Sequence, residues 1–291
     1  MKGPKDYLKL EYFAYIIFKA MAEREKDASR RKVLEQLKEK EYEHYEFWRG
    51  YTKITEVPQV SSFGVHIRVI IAAILGLTFT LKLLERFESD VVEGYQQLVD
   101  TIDKKYKAGL EAILKDEMEH ESFFLSQIGE GRLRYMSFIV LGLADAIVEI
   151  SGVHAGFLGV TSSTLIAGVA GLVVGFAAAI SMASAAYLQS KQETGKPSVP
   201  AAVSTGVAYI IAVVLLALPY FITDNMPYAF GSSIVIAIFL VAGFTFYGAV
   251  INDTKFSRDF FQAVALTIGT AIATYFFGLL VGQYFGIQSL I

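Results

Sequence analysis

Residues 41–48 read EYEHYEFW and residues 117–124 read EMEHESFF. Each stretch holds a Glu-x-x-His step followed by aromatic residues, and the second begins 76 residues after the first. Side chains at i and i+3 share a helix face, so the residues around each pair decide what it means. Leu34, Leu37, Glu41, His44 and Trp48 succeed one another at steps of three and four, and so do Leu110, Ile113, Glu117, His120 and Phe124. That spacing predicts two helices whose apolar, inward stripe carries a Glu and a His. An ionised carboxylate on such a stripe is costly unless it is paired or binds a metal.

Two neighbouring segments repeat the anomaly. Leu8, Glu11, Tyr15 and Phe18 place Glu11 on an apolar face, and Leu81, Glu85, Glu88 and Val92 place one or two carboxylates on another. Glu11 precedes Glu41 by 30 residues and Glu85 precedes Glu117 by 32, so this half reads as a helix pair used twice. The periodicity predicts four helices, about 5–27, 30–51, 63–98 and 102–129. A Glu from each of two helices and a Glu-x-x-His from each of the other two is the di-metal carboxylate arrangement of a four-helix bundle. The expected ligands are Glu11, Glu41, His44, Glu85, Glu117 and His120, with Glu88 as an extra carboxylate. Hard carboxylate oxygens and neutral imidazoles suit Fe, Mn or Zn. A single Glu-x-x-His would carry little weight, since Glu39, Glu43, Glu46, Glu111 and Glu119 show how Glu-rich these segments are. Most of those five read as solvated, and only the phase sets the two pairs apart.

The rest of the chain is of another kind. The protein has 291 residues, 54% of them hydrophobic, and no cysteine. Only ten charged residues lie from Tyr135 onward, against 45 before it. Two domains are therefore expected, 1–131 polar and 132–291 apolar, both all-α. A net charge of −3 without a basic stripe excludes nucleic acid as the expected partner. Absence of cysteine excludes disulfides, thiolate metal sites and Fe–S clusters. The opening MKGPKDYLKLEYF lacks the apolar run of a signal peptide.

Five segments reach the roughly 20 apolar residues a membrane helix needs, about 135–160, 164–188, 199–222, 228–251 and 260–287. All are rich in Gly, Ala and Ser, which allow close helix approach. Arg132 and Arg134 precede the first, Lys191 and Lys196 follow the second, and Lys255 and Arg258 follow the fourth. The other connections, TSS, TDNMP and the C-terminal tail, carry no Lys or Arg. The positive-inside rule then puts the N-terminal domain in the cytoplasm and the C-terminus across the bilayer. The apolar run Val69 to Leu81, at 13 residues, is too short to span and is expected as a buried core helix or one lying on the membrane surface.

Ionisable residues inside spans mark pathways. Asp145 and Glu149 lie four apart in LGLADAIVEISGVHAG, with His154 beyond them, and Met182 sits in AAISMASAAYL of the second span. A thioether is a weak ligand that late transition metals tolerate; more often it is packing.

Residues 5–129, with Glu85-Arg-Phe-Glu88, resemble a rubrerythrin/ferritin-like domain, although the cysteine-bearing rubredoxin module is absent. Residues 132–290 resemble the vacuolar iron transporter family: the Asp of span one in a Gly-rich setting, then A-x-S-M-x-x-x-x-Y-L leading into S-x-Q-E. Together they look like the membrane-bound ferritin branch of that family. The resemblance implies that Asp145 and Met182 line an ion path between the two protomers of a homodimer. It also departs from the family, since Val174 stands where relatives carry a Glu, and Glu149 is expected to supply that carboxylate. The implied activity is proton-coupled transport of Fe²⁺ or Mn²⁺ out of the cytoplasm, driven by the proton gradient, in a multi-pass protein of a prokaryotic inner membrane. The N-terminal di-iron bundle would capture, sense or oxidise the metal. The competing expectation is a membrane-anchored di-iron oxidase or peroxidase without transport.

Overall fold

The computed structural model describes residues 3–127, 131–192 and 198–287; the side chains at 85, 87–90, 118–127 and 131–135 lie outside the described residues. All regular structure among the described residues is helical. The chain divides into two compact units, Met1–Glu130 and Gly131–Ile291.

The first unit holds α1 (Pro4–Arg24), α2 (Ala28–Thr52), α3 (Ser62–Leu75), α4 (Leu77–Val99) and α5 (Lys104–Gln127). Pro4 starts α1, where its missing N–H costs nothing, and the Asp6 carboxylate accepts from the Gly3 N–H at 2.9 Å. Asp27 caps α2, its Oδ1 accepting from Ser29 N at 3.0 Å and Arg30 N at 2.9 Å, an arrangement worth about 1 kcal/mol. Glu25 pairs with Arg30 at 3.1 Å across the same turn. The turn fixes how α1 lies along α2, and so sets Glu11 opposite Glu41 and His44. One apolar cluster gathers Ile17, Phe18, Met21, Leu34 and Leu37; the other gathers Tyr7, Leu8, Tyr45, Trp48, Tyr95 and Leu110. Glu11, Glu41 and His44 fall between the two along α1 and α2, and all three are buried.

The single third helix expected over 63–98 is broken at Gly76. Its φ of 102° and ψ of 157° fall in a region open essentially to glycine alone. Gly76 both ends and starts a helix: its N–H donates to Ala72 O at 3.1 Å, and its carbonyl accepts from Thr80 N at 3.2 Å and Thr80 Oγ1 at 3.0 Å. Gly76→Ala is expected to destabilise the first unit by about 1–3 kcal/mol, read as a lower midpoint in chemical denaturation followed by Trp48 fluorescence. The break also alters the reading of the apolar run. In α3 only Val65 and Val69 are buried, while Phe63, Ile67, Ile70 and Ile74 are exposed along one side. The Arg68 guanidinium lies 4.8 Å over the Phe13 ring.

The second unit holds α6 (Gly131–Val160), α7 (Thr164–Gln192), α8 (Ser198–Ala217), the single turn α9 (Pro219–Ile222), α10 (Met226–Asn252) and α11 (Phe256–Phe285). Among the described residues, five helical stretches are long and apolar enough to cross a membrane: Met136–Val160, Thr164–Gln192, Ser198–Ile222, Met226–Asn252 and Phe256–Phe285. These fit a multi-pass protein in a lipid bilayer. Helix α6 packs against α7, α8, α10 and α11. Against α11 the backbones meet directly: a Cβ on Gly278 would run into the Gly156 carbonyl, and one on Gly159 would stand 2.7 Å from the Tyr275 carbonyl. Outward positions such as Leu165, Ile166, Val173 and Phe176 are large, apolar and exposed, as lipid contact requires and water would penalise.

Candidate metal centre

Four of the expected ligands come together. Glu11 of α1, Glu41 and His44 of α2 and Glu117 of α5 each offer one ligand atom, all within 4.8 Å of one another. Phase explains this. Leu34, Leu37, Glu41, His44 and Trp48 are all buried, so the stripe of α2 faces inward along its length. Leu110 and Ile113 of α5 are buried likewise, two turns and one turn before Glu117. On α1 Leu8, Glu11 and Phe18 are buried, whereas Tyr15 is half-exposed and packs on Tyr42 with ring centroids 5.1 Å apart. The side chains of Glu85, Glu88 and His120, the other three expected ligands, lie outside the described residues.

His44 organises the cluster. Its Nδ1 stands 3.0 Å from Glu117 Oε1 and 3.7 Å from Glu11 Oε2, while Nε2 stands 3.7 Å from Asp116 Oδ2. Burial opposes the imidazolium, but the hydrogen bonds it donates to Glu11 and Glu117 outweigh that cost and push His44 up to about 10. Burial raises Glu117, with the Glu11 charge adding to it and His44 opposing. Burial would raise Glu11 too, yet the hydrogen bonds from His44 and Tyr95 leave its carboxyl below the ordinary range. The imidazolium proton thus offsets the charge of the carboxylates on either side of Nδ1. A cation in its place would meet the same oxygens and the freed Nδ1.

The donor set fits a metal ion. Three carboxylates and an imidazole are hard-to-borderline donors, buried where an ion can offset the cost of their charge. Asp116 lies 3.7 Å from Nε2, on the side from which a metal-bound histidine is commonly oriented by a carboxylate, and it also holds Lys40 at 3.0 Å. Tyr95 of α4 donates to Glu11 Oε1 and accepts from Trp48 Nε1 at 3.0 Å. Trp48 and Tyr95 stack with centroids 5.4 Å apart. A cavity of about 90 Å³ lies beside Glu11 and Glu117, walled by Phe13, Ala14, Ile17, Leu84 and Val91, with Arg68 at its edge.

Sequence reasoning missed Asp116 and Tyr95. Tyr95 had a signal: it continues the three-and-four steps of Leu81, Glu85, Glu88 and Val92. Asp116 had only its place beside Glu117.

In the membrane unit Asp145 is exposed on the flank of α6 and Glu149, one turn on, is half-buried. Tyr209 of α8 donates to Glu149 Oε2. Met182 of α7 packs against the core formed by Ala146, Ile147, Ala179 and Tyr209. Comparison of the chain with protein-family models, curated proteins and solved structures finds no match.

Proposed function

We propose that the protein is a proton-coupled transporter of Fe²⁺ or Mn²⁺, with the N-terminal unit a ferritin-like di-metal bundle that captures the metal and delivers it. The observation that carries this reading is Asp145, a carboxylate exposed on the flank of a membrane-spanning helix. A charge there is costly in lipid and belongs on an interior path. A second copy of the chain packed on that flank of α6 would turn the exposed acid into a lining residue, which supports a homodimer. Glu149, held by Tyr209, is the next carboxylate along the path, and Met182 a softer contact on the neighbouring helix. Carboxylates in a low dielectric exchange protons for cations readily, because desolvation favours the neutral form.

At the cytoplasmic face Glu11, Glu41, His44 and Glu117 would hold the first metal, and Glu85, Glu88 and His120 the second. The charge asymmetry of the loops supports an N-terminal unit on the cytoplasmic side, and the membrane we propose is a prokaryotic inner membrane. A bound iron pair would supply one-electron redox chemistry; the protein's own part is to bind, orient and hold the proton on His44 until metal replaces it.

One observation favours the second reading, a membrane-anchored di-iron oxidase. Trp48, Tyr95 and Glu11 form a hydrogen-bonded line of oxidisable rings ending at a ligand, beside a cavity that admits a small molecule. Acid-inside liposomes carrying the full-length protein separate the two. Transport predicts Fe²⁺ uptake with collapse of the pH gradient. Fe²⁺-dependent oxygen consumption without uptake would favour the oxidase and overturn the transporter.

A further inference from the structure

His154 is the sole histidine of the membrane unit. It lies on α6 and its exposure is 0%. Its ring rests on that of Tyr220, with centroids 4.1 Å apart and planes tilted by 38°. Nδ1 faces Ser233 Oγ at 3.5 Å, and Ser233 Oγ donates to the Leu216 carbonyl at 2.8 Å. A hydroxyl has one proton, and here it is committed to Leu216. Ser233 can therefore only accept from the imidazole, so Nδ1 carries the hydrogen. Nε2 is left as the bare, basic nitrogen of a neutral ring.

Among the described residues that nitrogen has no hydrogen-bond partner. It faces Gly171 of α7, where any Cβ would collide with it. The hydroxyls of Ser151 and Tyr220 are buried without partners as well, and Ser151 lies one turn before His154 on the same face of α6. Native interiors rarely leave buried polar groups unmade, and each instance calls for a reason. The wall that covers Nε2 is bare backbone. Gly168 stands over Tyr220, Gly171 over His154, and Gly175 over Val213 and Ile150. Gly171 sets no side chain between the backbone of α7 and the ring, so a shift of α7 away from it would open space at Nε2.

The surroundings choose the ligand. Facing the ring are Gly171 from α7, Tyr220 from α9, Ser233 from α10 and, through Ser233, the Leu216 carbonyl of α8. Tyr220 is the only titratable group among them. No Asp, Glu, Lys or Arg occurs in 198–222 or 226–252, and α7 carries only Lys191 near its end. On α6 itself the nearest acids are Glu149 and Asp145, five and nine residues earlier. One imidazole nitrogen without a carboxylate beside it is a poor seat for a divalent cation, which needs several donors. It is an adequate seat for a proton.

We propose that His154 Nε2 is a proton-accepting site of the membrane unit, separate from Asp145 and Glu149, closed by the glycine wall of α7 and opened when α7 moves off it. When open, a proton from the facing aqueous phase forms the Nε2–H bond; it leaves to the same phase or to the Glu149 carboxylate. This role in transport rests on the proton-coupled reading above, whereas the protonation itself does not.

The test is ¹⁵N NMR of histidine-labelled full-length protein in lipid nanodiscs. The chain has four histidines, and His154 is assigned by the signal lost in His154→Gln. If that variant does not fold, the triple replacement of His44, His66 and His120 leaves His154 alone. The expected spectrum shows Nδ1 protonated and Nε2 bare at alkaline pH, and a second proton on Nε2 as the pH falls. Ser233→Ala should release the tautomer and give a mixed signal. An Nε2–H tautomer in the parent overturns the proposal. So does a neutral ring that persists to the pH of unfolding, or Mn²⁺ that broadens the Nε2 signal in preference to every other site. In liposomes, His154→Gln should retain Fe²⁺ uptake but lose the steepening of uptake with proton gradient. Absence of uptake by the parent would sink the transport reading and leave the NMR result to judge His154 alone.

Discussion

Asp145→Asn is expected to bring Fe²⁺ uptake by proteoliposomes down to that of protein-free vesicles. Asparagine keeps the shape and loses the charge, so it separates electrostatics from packing. Asp145 is exposed on α6, and the change disturbs no buried contact of the protomer. Glu149 is already engaged by Tyr209, which leaves Asp145 as the freer of the two acids to take a cation and give up a proton. Pumping should fail together with uptake, because one group does both. Asp253→Asn serves as a control, as it alters an exposed acid just beyond α10. Uptake by Asp145→Asn at the parent rate would remove this residue from the mechanism.

The second large effect is loss of metal from the N-terminal unit in Glu41→Ala with Glu117→Ala. The parent should hold about two metals per chain; the double variant should hold none, measured by elemental analysis of protein purified in detergent. Two of the four converging donors vanish, and the buried charge of Glu11 remains with His44 and Tyr95, partners too few to hold a metal. Unchanged stoichiometry would sink the assignment. Metal binding in the parent should also release protons, since His44 sits at about 10 without metal and must be neutral to ligate. Affinity should therefore rise with pH by about tenfold per unit for each proton displaced, through the whole neutral range. Stability without metal runs the opposite way. The folded value for His44 lies above its ordinary one, so its contribution is complete below about 6.5 and fades as the pH climbs through about 10.

How much of this could be read from the sequence depended on how far a local rule reaches. The spans were legible because length and apolarity are local: the fourth was expected at about 228–251 and found at Met226–Asn252. The Glu-x-x-His of α2 was legible because helix phase is fixed by its own neighbours, Leu34 to Trp48. That Glu11 and Glu117 would converge on it followed from the repeat of helix pairs, a weaker inference that the buried cluster supports for these four residues. Gly76 was not legible. An isolated glycine in an apolar run usually passes unnoticed within a helix, and only its positive φ shows that the chain turns there. The exposed side of α3 was lost with it, since one continuous helix over 63–98 would present its apolar residues differently. Asp116 escaped because what makes it useful is its distance to a ring on another helix.

Trp48 is the chain's only tryptophan, and it is joined through one phenol to a carboxylate of the metal cluster. The protein therefore carries a fluorophore wired to its candidate metal centre. Paramagnetic Fe²⁺ or Mn²⁺ arriving at Glu11 would dim that emission, with nothing from the five apolar spans to mask it. Occupancy of the centre could then be followed in real time in unlabelled protein, in the same vesicles that report flux.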